Sequence, residues 1–387
     1  MEDIIRVENQ FYVLATSSLA DDRTRVLKYG ETFAVLNRLG DIEGLGAGEQ
    51  GLYHRGTRYL SKLALRLNGN IPQLLRSTIH EDGAFFTIDM MNPDVYREGR
   101  LILPRSAIHV FRSKFLWKDA CYERIRVANF SLAPFDASIS LRFVADYSDI
   151  FQVRGMKRKG TGDILPPEVN SHEVVLSYRG GDRELRRSRL EFFPAPSHLS
   201  AELATYLFTL APREEKSLNV TITCQEEHAY SVSTGFDESM HQSILELQET
   251  RSRFGSVTSS HAAFNRWLCR SASDVQMMIR GNPEGAYPYA GVPWFSTVFG
   301  RDALVTAMQC LWAAPWIAAS VLKYLALHQA VEVISRQEAE PGKILHEMRH
   351  GEMANLNEVP FGLYYGSVDS TPLFVLLAGM YFDRTGD

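Results

Sequence analysis

Three short stretches in the C-terminal half carry the residue types that could do chemistry. Residues Gly291–Asp302 place Trp294 and Phe295 a few positions before Arg301-Asp302. Aromatic rings offer flat apolar faces to the C–H side of a sugar, and an Arg-Asp pair can fork hydrogen bonds to adjacent hydroxyls. The plain alternative is that Asp302 caps the helix that follows and Arg301 is a surface charge. Residues Pro341–Met353 pack His346, Glu347, Arg349, His350 and Glu352 among Met348, Met353 and flanking glycines. That reads as a pocket wall, with Glu347 and Arg349 as ligand contacts, or as a solvated loop. The letters His346-Glu347-Met348-Arg349-His350 spell HExxH, but zinc binding by that motif needs a helix to bring both imidazoles to one metal. Pro341-Gly342 before and Gly351 after leave little room for one, so neither a metal nor a cofactor is expected. Residues Glu358–Phe374 bring Glu358, Tyr365 and Asp369 up to the start of another helix. There Asp369 or Ser370 would serve as N-cap, a role compatible with binding.

The elements that hold these stretches change character along the chain. From Gln10 to about Thr223 short alternating segments are punctuated by turn residues, an all-β pattern. Examples are Thr32–Leu36, Leu63–Leu67 closed by Asn68-Gly69, Phe85–Ile88, Ala137–Val144 and Leu218–Thr223. So many strands need two packed sheets to cover their apolar faces, which predicts a large antiparallel β-sandwich. Near Glu226 the period becomes helical. A polar linker helix is predicted over Asp237–Phe254, then helices over His261–Ile279, Asp302–Ala314, Trp316–Ile334 and Thr371–Tyr381. Gly281–Gly300 and Glu338–Ser370 are left as long loops, rich in aromatics, that would wall a pocket at one end of a helical barrel.

Composition narrows the function classes. The 387 residues carry a formal net charge of -5 and are 45% hydrophobic and 22% charged. Both signs are interspersed, which provides no basic stripe for nucleic acid and no patch for a membrane surface. No apolar run is long enough to span a bilayer and the first ten residues hold charges, so a cytoplasmic protein is expected. Cys121, Cys224, Cys269 and Cys310 lie far apart and are expected as buried thiols rather than a disulfide framework.

Taken in order, the three stretches resemble those of the bacterial and archaeal glycogen-debranching-like (amylo-α-1,6-glucosidase) family. Gly51–Ser61 (GLYHRGTRYLS) and Asp146–Gly155 (DYSDIFQVRG) resemble that family's N-terminal β-domain. Two departures stand out: Gly56 occupies the place of an Asp in the HRDTR-like motif, and Leu363 that of a frequent basic residue. The resemblance implies a β-sandwich over 1–225, a linker over 226–260, and the N-terminal part of an (α/α)6 six-hairpin glycosidase barrel over 261–387. It implies that Arg301 and Asp302 bind the hydroxyls of a non-reducing glucose, and that the HExxH letters are coincidental. It also implies a glycoside hydrolase acting on an α-glucan or oligosaccharide, inverting the anomeric centre with an acid and a base ~6.5–9.5 Å apart. That pair is expected beyond Asp387, because twelve barrel helices need on the order of 350–400 residues. Either the chain is a fragment of a longer enzyme, the favoured reading, inactive alone and prone to aggregate, or a partner chain supplies the rest of the barrel. Alternatives are a trehalase-like or mannosylglycerate-hydrolase-like glycosidase, or a non-catalytic carbohydrate-binding protein.

Overall fold

The computed structural model describes residues 4–7, 10–13, 24–44, 48–80, 83–97, 99–158, 160–227, 235–282 and 285–387. Parts of the predicted elements lie outside the described residues: 14–23 of the β-region, 228–234 ahead of the linker helix, and 283–284 of the first long loop.

The first half is antiparallel β-structure around one core. Its large sheet has eight strands, in spatial order Asp163–Val169, Glu173–Arg179, Leu185–Phe193, Glu215–Glu226, Ala120–Asn129, Ile108–Trp117, Phe85–Met91 and Gln73–Ile79. A four-stranded sheet of His198–Leu199, Leu203–Leu210, Phe135–Val144 and Lys62–Leu67 faces it. Another holds Arg25–Tyr29, Thr32–Leu36, Gly51–His54 and Thr57–Leu60. Ile88, Val110 and Ile222 from the large sheet meet Leu65, Ile139 and Leu141 from the second and Leu27, Leu36 and Leu52 from the third. Strand Phe85–Met91 alternates buried and half-buried residues along its length, the period-two pattern of a sheet with one face in a core. The predicted β-sandwich is therefore the observed one. Asn68 and Gly69 both have positive φ, at 48° and 77°. Their turn is not a hairpin, because Lys62–Leu67 and Gln73–Ile79 belong to different sheets and the chain crosses between layers there.

The second half is mainly helical: Phe236–Ser252, Ala262–Met278, Gly300–Cys310, Pro315–Leu327 and Ser370–Thr385. The polar helix Phe236–Ser252 lies against the sandwich, with Phe236 buried among Phe115, Trp117 and Tyr122. Arg124 grips Asp237 with two 2.8 Å hydrogen bonds, and the Trp117 indole N–H donates to Glu246 at 3.0 Å. The helix from Pro315 ends at Leu327, short of the predicted Ile334, because the next backbone groups find partners elsewhere. Ala330 bonds to Lys343 and Gly342, and Ile334 pairs with Ala339. Strands also occur where only helices and loops were predicted: Ile279–Asn282 with Gly285–Pro288, and Val298–Phe299 with Glu347–Met348. Cys121 and Cys224 are buried as expected, whereas Cys310 is half-buried and Cys269 is exposed. Among the described residues no helix is long and apolar enough to cross a membrane.

Candidate functional site

The two long loops are knitted together. Val298 and Phe299 pair with Met348 and Glu347, Glu347 also bridges to Tyr364, and the Gly300 amide donates to the His346 carbonyl at 2.8 Å. A Cβ on Gly300 would stand 1.9 Å from the Leu345 carbonyl oxygen and 3.1 Å from Ser370 Oγ. Only glycine lets helix Gly300–Cys310 start this close to the second loop. Gly300→Ala is expected to destabilise the protein by about 3 kcal/mol or more through overpacking against backbone, read as a lowered midpoint in urea; an unchanged midpoint would show that the loops part freely.

This seam sets Arg301 beside the start of the last helix. Its guanidinium Nη1 lies 3.3 Å from Asp369 Oδ2, with both side chains partly exposed. Asp369 occupies the N-cap position of helix Ser370–Thr385 but makes no capping hydrogen bond. Its carboxylate instead accepts from the Ser367 hydroxyl and from Arg301. The Ser367 hydrogen bond first, and Arg301 second, hold it below the usual carboxylate range. Asp302 is not a cap either: Phe299 is the N-cap, and Asp302 sits in the first turn. There the helix dipole favours its charge.

Glu347, Arg349 and Trp294 form a second group. Arg349 Nε donates to Glu347 Oε1 at 2.5 Å and Arg349 Nη2 to the Trp294 carbonyl at 2.9 Å. The guanidinium also lies over the rings of Phe151, at 4.9 Å, and Phe299, at 5.7 Å. Trp294 packs against the cluster that contains Tyr53, Phe151 and Met353, whereas Phe295 is 44% exposed. Arg349 also lines an open cavity of about 410 Å³ together with His328, Arg336, Gln337, His350 and Asn357. Arg349 and His350 belong to the stretch expected as a pocket wall. Glu347–Met348 is a strand and His350 is exposed, so the segment is not the helix the HExxH letters require.

The remaining two predicted residues are engaged elsewhere. The Tyr365 hydroxyl donates to the His328 carbonyl at 2.8 Å. Glu358 takes two hydrogen bonds, at 2.7 and 2.9 Å, from Arg158 of the β-region. Arg158 also reaches Glu352 at 3.1 Å, and Glu352 accepts from the Tyr178 hydroxyl and the Gly181 amide, each at 2.8 Å. Burial works to raise the Glu352 carboxyl, but these donors outweigh it and hold it low. Asp149 links the halves again, accepting from the amides of Phe151 and Met353 at 3.0 Å each. The two resembling β-motifs meet each other here. Arg58 pairs with Asp146, and the turn at Gly56, with φ of 77°, brings its Cα within reach of Gly351. Such a φ suits glycine. None of this clamp was read from the sequence, because its partners are far apart along the chain.

The model of the N-terminal domain of (some) glycogen debranching enzymes matches residues 27–221. This chain belongs to that family. No curated protein matches it. Among solved structures, a protein described as a kojibiose phosphorylase from the human microbiome is similar over 79% of this chain and 46% of its own, at 9% identity and a TM-score of 0.50. The chain thus spans about half the length of that structure, and the likeness concerns the fold of this debranching-family member alone. An aldose 1-epimerase-type protein from Escherichia coli K12 is 10% identical over 52% of this chain and 99% of its own, at a TM-score of 0.29. A galactose mutarotase-like protein from Lactobacillus casei is 10% identical over 52% of this chain and 100% of its own, at 0.30. These last two bear no weight for the debranching-family chain.

Proposed function

We propose that this debranching-family chain forms part of an α-glucan-processing glycoside hydrolase of the amylo-α-1,6-glucosidase type. In this reading residues 1–225 are the β-domain, 226–260 the linker and 261–387 the first part of a six-hairpin barrel. Arg301, Asp302 and Asp369 bind hydroxyls of a terminal glucose unit. Phe295 offers its exposed ring to the sugar, and Glu347 fixes Arg349 at the neighbouring cavity. The observation that carries the reading is the Arg301–Asp369 pair, two partly exposed groups at the heads of adjacent helices. Beside its bonds to Ser367 and Arg301, the Asp369 carboxylate is 37% exposed and does not cap its helix, so it keeps lone pairs for a ligand.

Hydrolysis with inversion needs a protonated carboxyl as general acid and a second carboxylate to aim water. A general acid needs a raised pKa. Asp369 is held low by Ser367 and Arg301, Glu352 is held low, and Glu347 and Glu358 are tied to arginines. These four are therefore suited to holding structure or substrate, and this chain alone is expected to bind glucan without hydrolysing it. Calorimetric titration with maltotriose tests the binding half. Arg301→Ala and Asp302→Asn are each expected to weaken maltotriose binding at least tenfold, about 1.4 kcal/mol. Unchanged affinity in both variants would leave these residues as surface charges. Glucose release from a branched glucan by the chain itself would place the acid and base among its own carboxylates.

A further inference from the structure

A cavity of about 280 Å³ lies where the strand Arg25–Tyr29 and the helices Phe236–Ser252, Ala262–Met278 and Pro315–Leu327 meet, and it shares no wall residue with the Arg349 cavity. Tyr29, Leu116, Glu246, Thr250, Gln276 and Trp316 are among its walls. Gln276, on the helix Ala262–Met278, is only 6% exposed, and both its amide nitrogen and its amide oxygen lack a hydrogen-bond partner among the described residues. Buried polar atoms are nearly always paired, because leaving one unpaired forfeits its hydration with no return. An amide that lines a cavity with both of its ends unsatisfied is therefore matched to something that enters.

The other walls indicate what enters. The Glu246 carboxylate is already occupied, accepting from the Tyr29 hydroxyl and the Trp117 indole N–H. The Arg253 guanidinium lies over the Trp316 ring at 4.2 Å. Lys28, also in the wall, donates to the Gly30 carbonyl and lies over the Tyr289 ring at 4.8 Å, and the buried group left without a partner among the described residues, Gln276, is neutral. A primary amide offers donors on one side and an acceptor on the other, the complement of neighbouring hydroxyls that each donate and accept. Tyr29, Leu116 and Trp316 supply apolar wall for C–H groups. The volume falls just under the ~300 Å³ at which drug-sized pockets begin, which is room for one small ring. We propose that this junction cavity is a second, non-catalytic binding site for a single neutral sugar, held by the Gln276 amide.

This site goes beyond the reading of Arg301, Asp302 and Asp369 and does not depend on it. Titration of the 387-residue chain with D-glucose, followed by calorimetry and tryptophan fluorescence, tests it. Gln276→Met keeps the length of the side chain and removes the unpaired amide, so its melting temperature is expected to match or exceed that of the parent. Ser243→Phe fills the cavity from the opposite helix and leaves Gln276 in place. Both variants are expected to weaken glucose binding at least tenfold, while Arg301→Ala leaves this binding unchanged. If Gln276→Met misfolds, Ser243→Phe decides. Parent-like affinity in the folded cavity variants, no glucose binding by the chain, or binding lost only in Arg301→Ala overturns the proposal. The last pattern would leave the reading of Arg301 and Asp302 standing, and glucose binding weakened by both cavity variants but not by Arg301→Ala supports the junction site whatever the maltotriose titration gives.

Discussion

Glu123→Ala is expected to be among the most damaging single substitutions in the β-sandwich, costing about 3–5 kcal/mol. Glu123, Arg112 and Lys114 have side chains with no exposed surface at all. Arg112 Nε donates to Glu123 Oε1 at 2.6 Å, Lys114 Nζ to Glu123 Oε2 at 2.5 Å, and Arg112 Nη1 to Asp41 Oδ1 at 2.5 Å. Removing Glu123 leaves two buried cations facing one carboxylate, and that imbalance is more costly than the lost attraction. Urea denaturation checks the loss. The combined change Asp41→Asn, Glu123→Leu, Arg112→Met and Lys114→Met is expected to cost far less than Glu123→Ala, since it removes all four desolvated charges together. A quadruple variant as unstable as the single one would show that shape, not charge, governs this part of the core. The pH dependence follows from the same cluster. Burial works to raise the Glu123 carboxyl, but Arg112 and Lys114 hold it below its ordinary value. Its stabilisation is present above the unfolded carboxylate range, around pH ~4.3, and is lost as pH falls through the lower folded value.

Arg158→Leu is expected to loosen the contact between the β-region and the second long loop, at a cost of about 3 kcal/mol. Arg158 and Glu352 side chains are each 2% exposed, so the substitution strands a buried carboxylate and frees Glu358. Limited proteolysis within 341–369 reads the loosening, and denaturation reads the cost. Adding Glu352→Gln should recover a large part of the loss, because the amide oxygen still accepts from the Gly181 N–H and the amide NH2 can donate to the Tyr178 hydroxyl oxygen, without a charge to desolvate. Strict additivity of the two changes would show that the pair is not coupled. Acid should mimic the substitution: Glu352 is held low in the folded protein, so its contribution persists above the unfolded range and disappears as pH drops through the folded value.

The β-half was legible because period-two alternation was strong, as in Phe85–Met91, and the helical half because Ala262–Met278 and Gly300–Cys310 carry helical apolar stripes. The buried charge cluster went unread, although a signal was present. Arg112 and Lys114 are in phase with Ile108 and Val110 on strand Ile108–Trp117, hence on the inward face, and Lys114 pairs in register with Glu123. Charged side chains at core phase need partners, and the next strand supplied one. At the candidate site the residue types of Arg301, Asp302 and Asp369 were legible, but the Arg301–Asp369 contact was not, being 68 positions apart in the chain. Glu358 and Tyr365 looked equally suited to a ligand. Their partners, Arg158 and the His328 carbonyl, are set by tertiary packing that no local pattern encodes.

The carboxylate of Asp149 bears on the order in which the molecule assembles. It caps the short helix Ile150–Val153 and also accepts the amide of Met353, near the start of the helix Glu352–Asn355. That second helix has four residues, and its own N-cap, Gly351, provides no side chain to close it. Segments so short do not nucleate alone, since fixing the first turn costs more than its single bond returns. Its template is a group 204 positions earlier in the chain. Contacts of such separation form late, after the entropy of closing the intervening loop has been met. The wall that carries Glu347, Arg349 and Glu352 therefore takes shape on a sandwich that has already condensed, and in refolding the Met353 amide should gain protection from exchange only after the sheet amides have gained theirs.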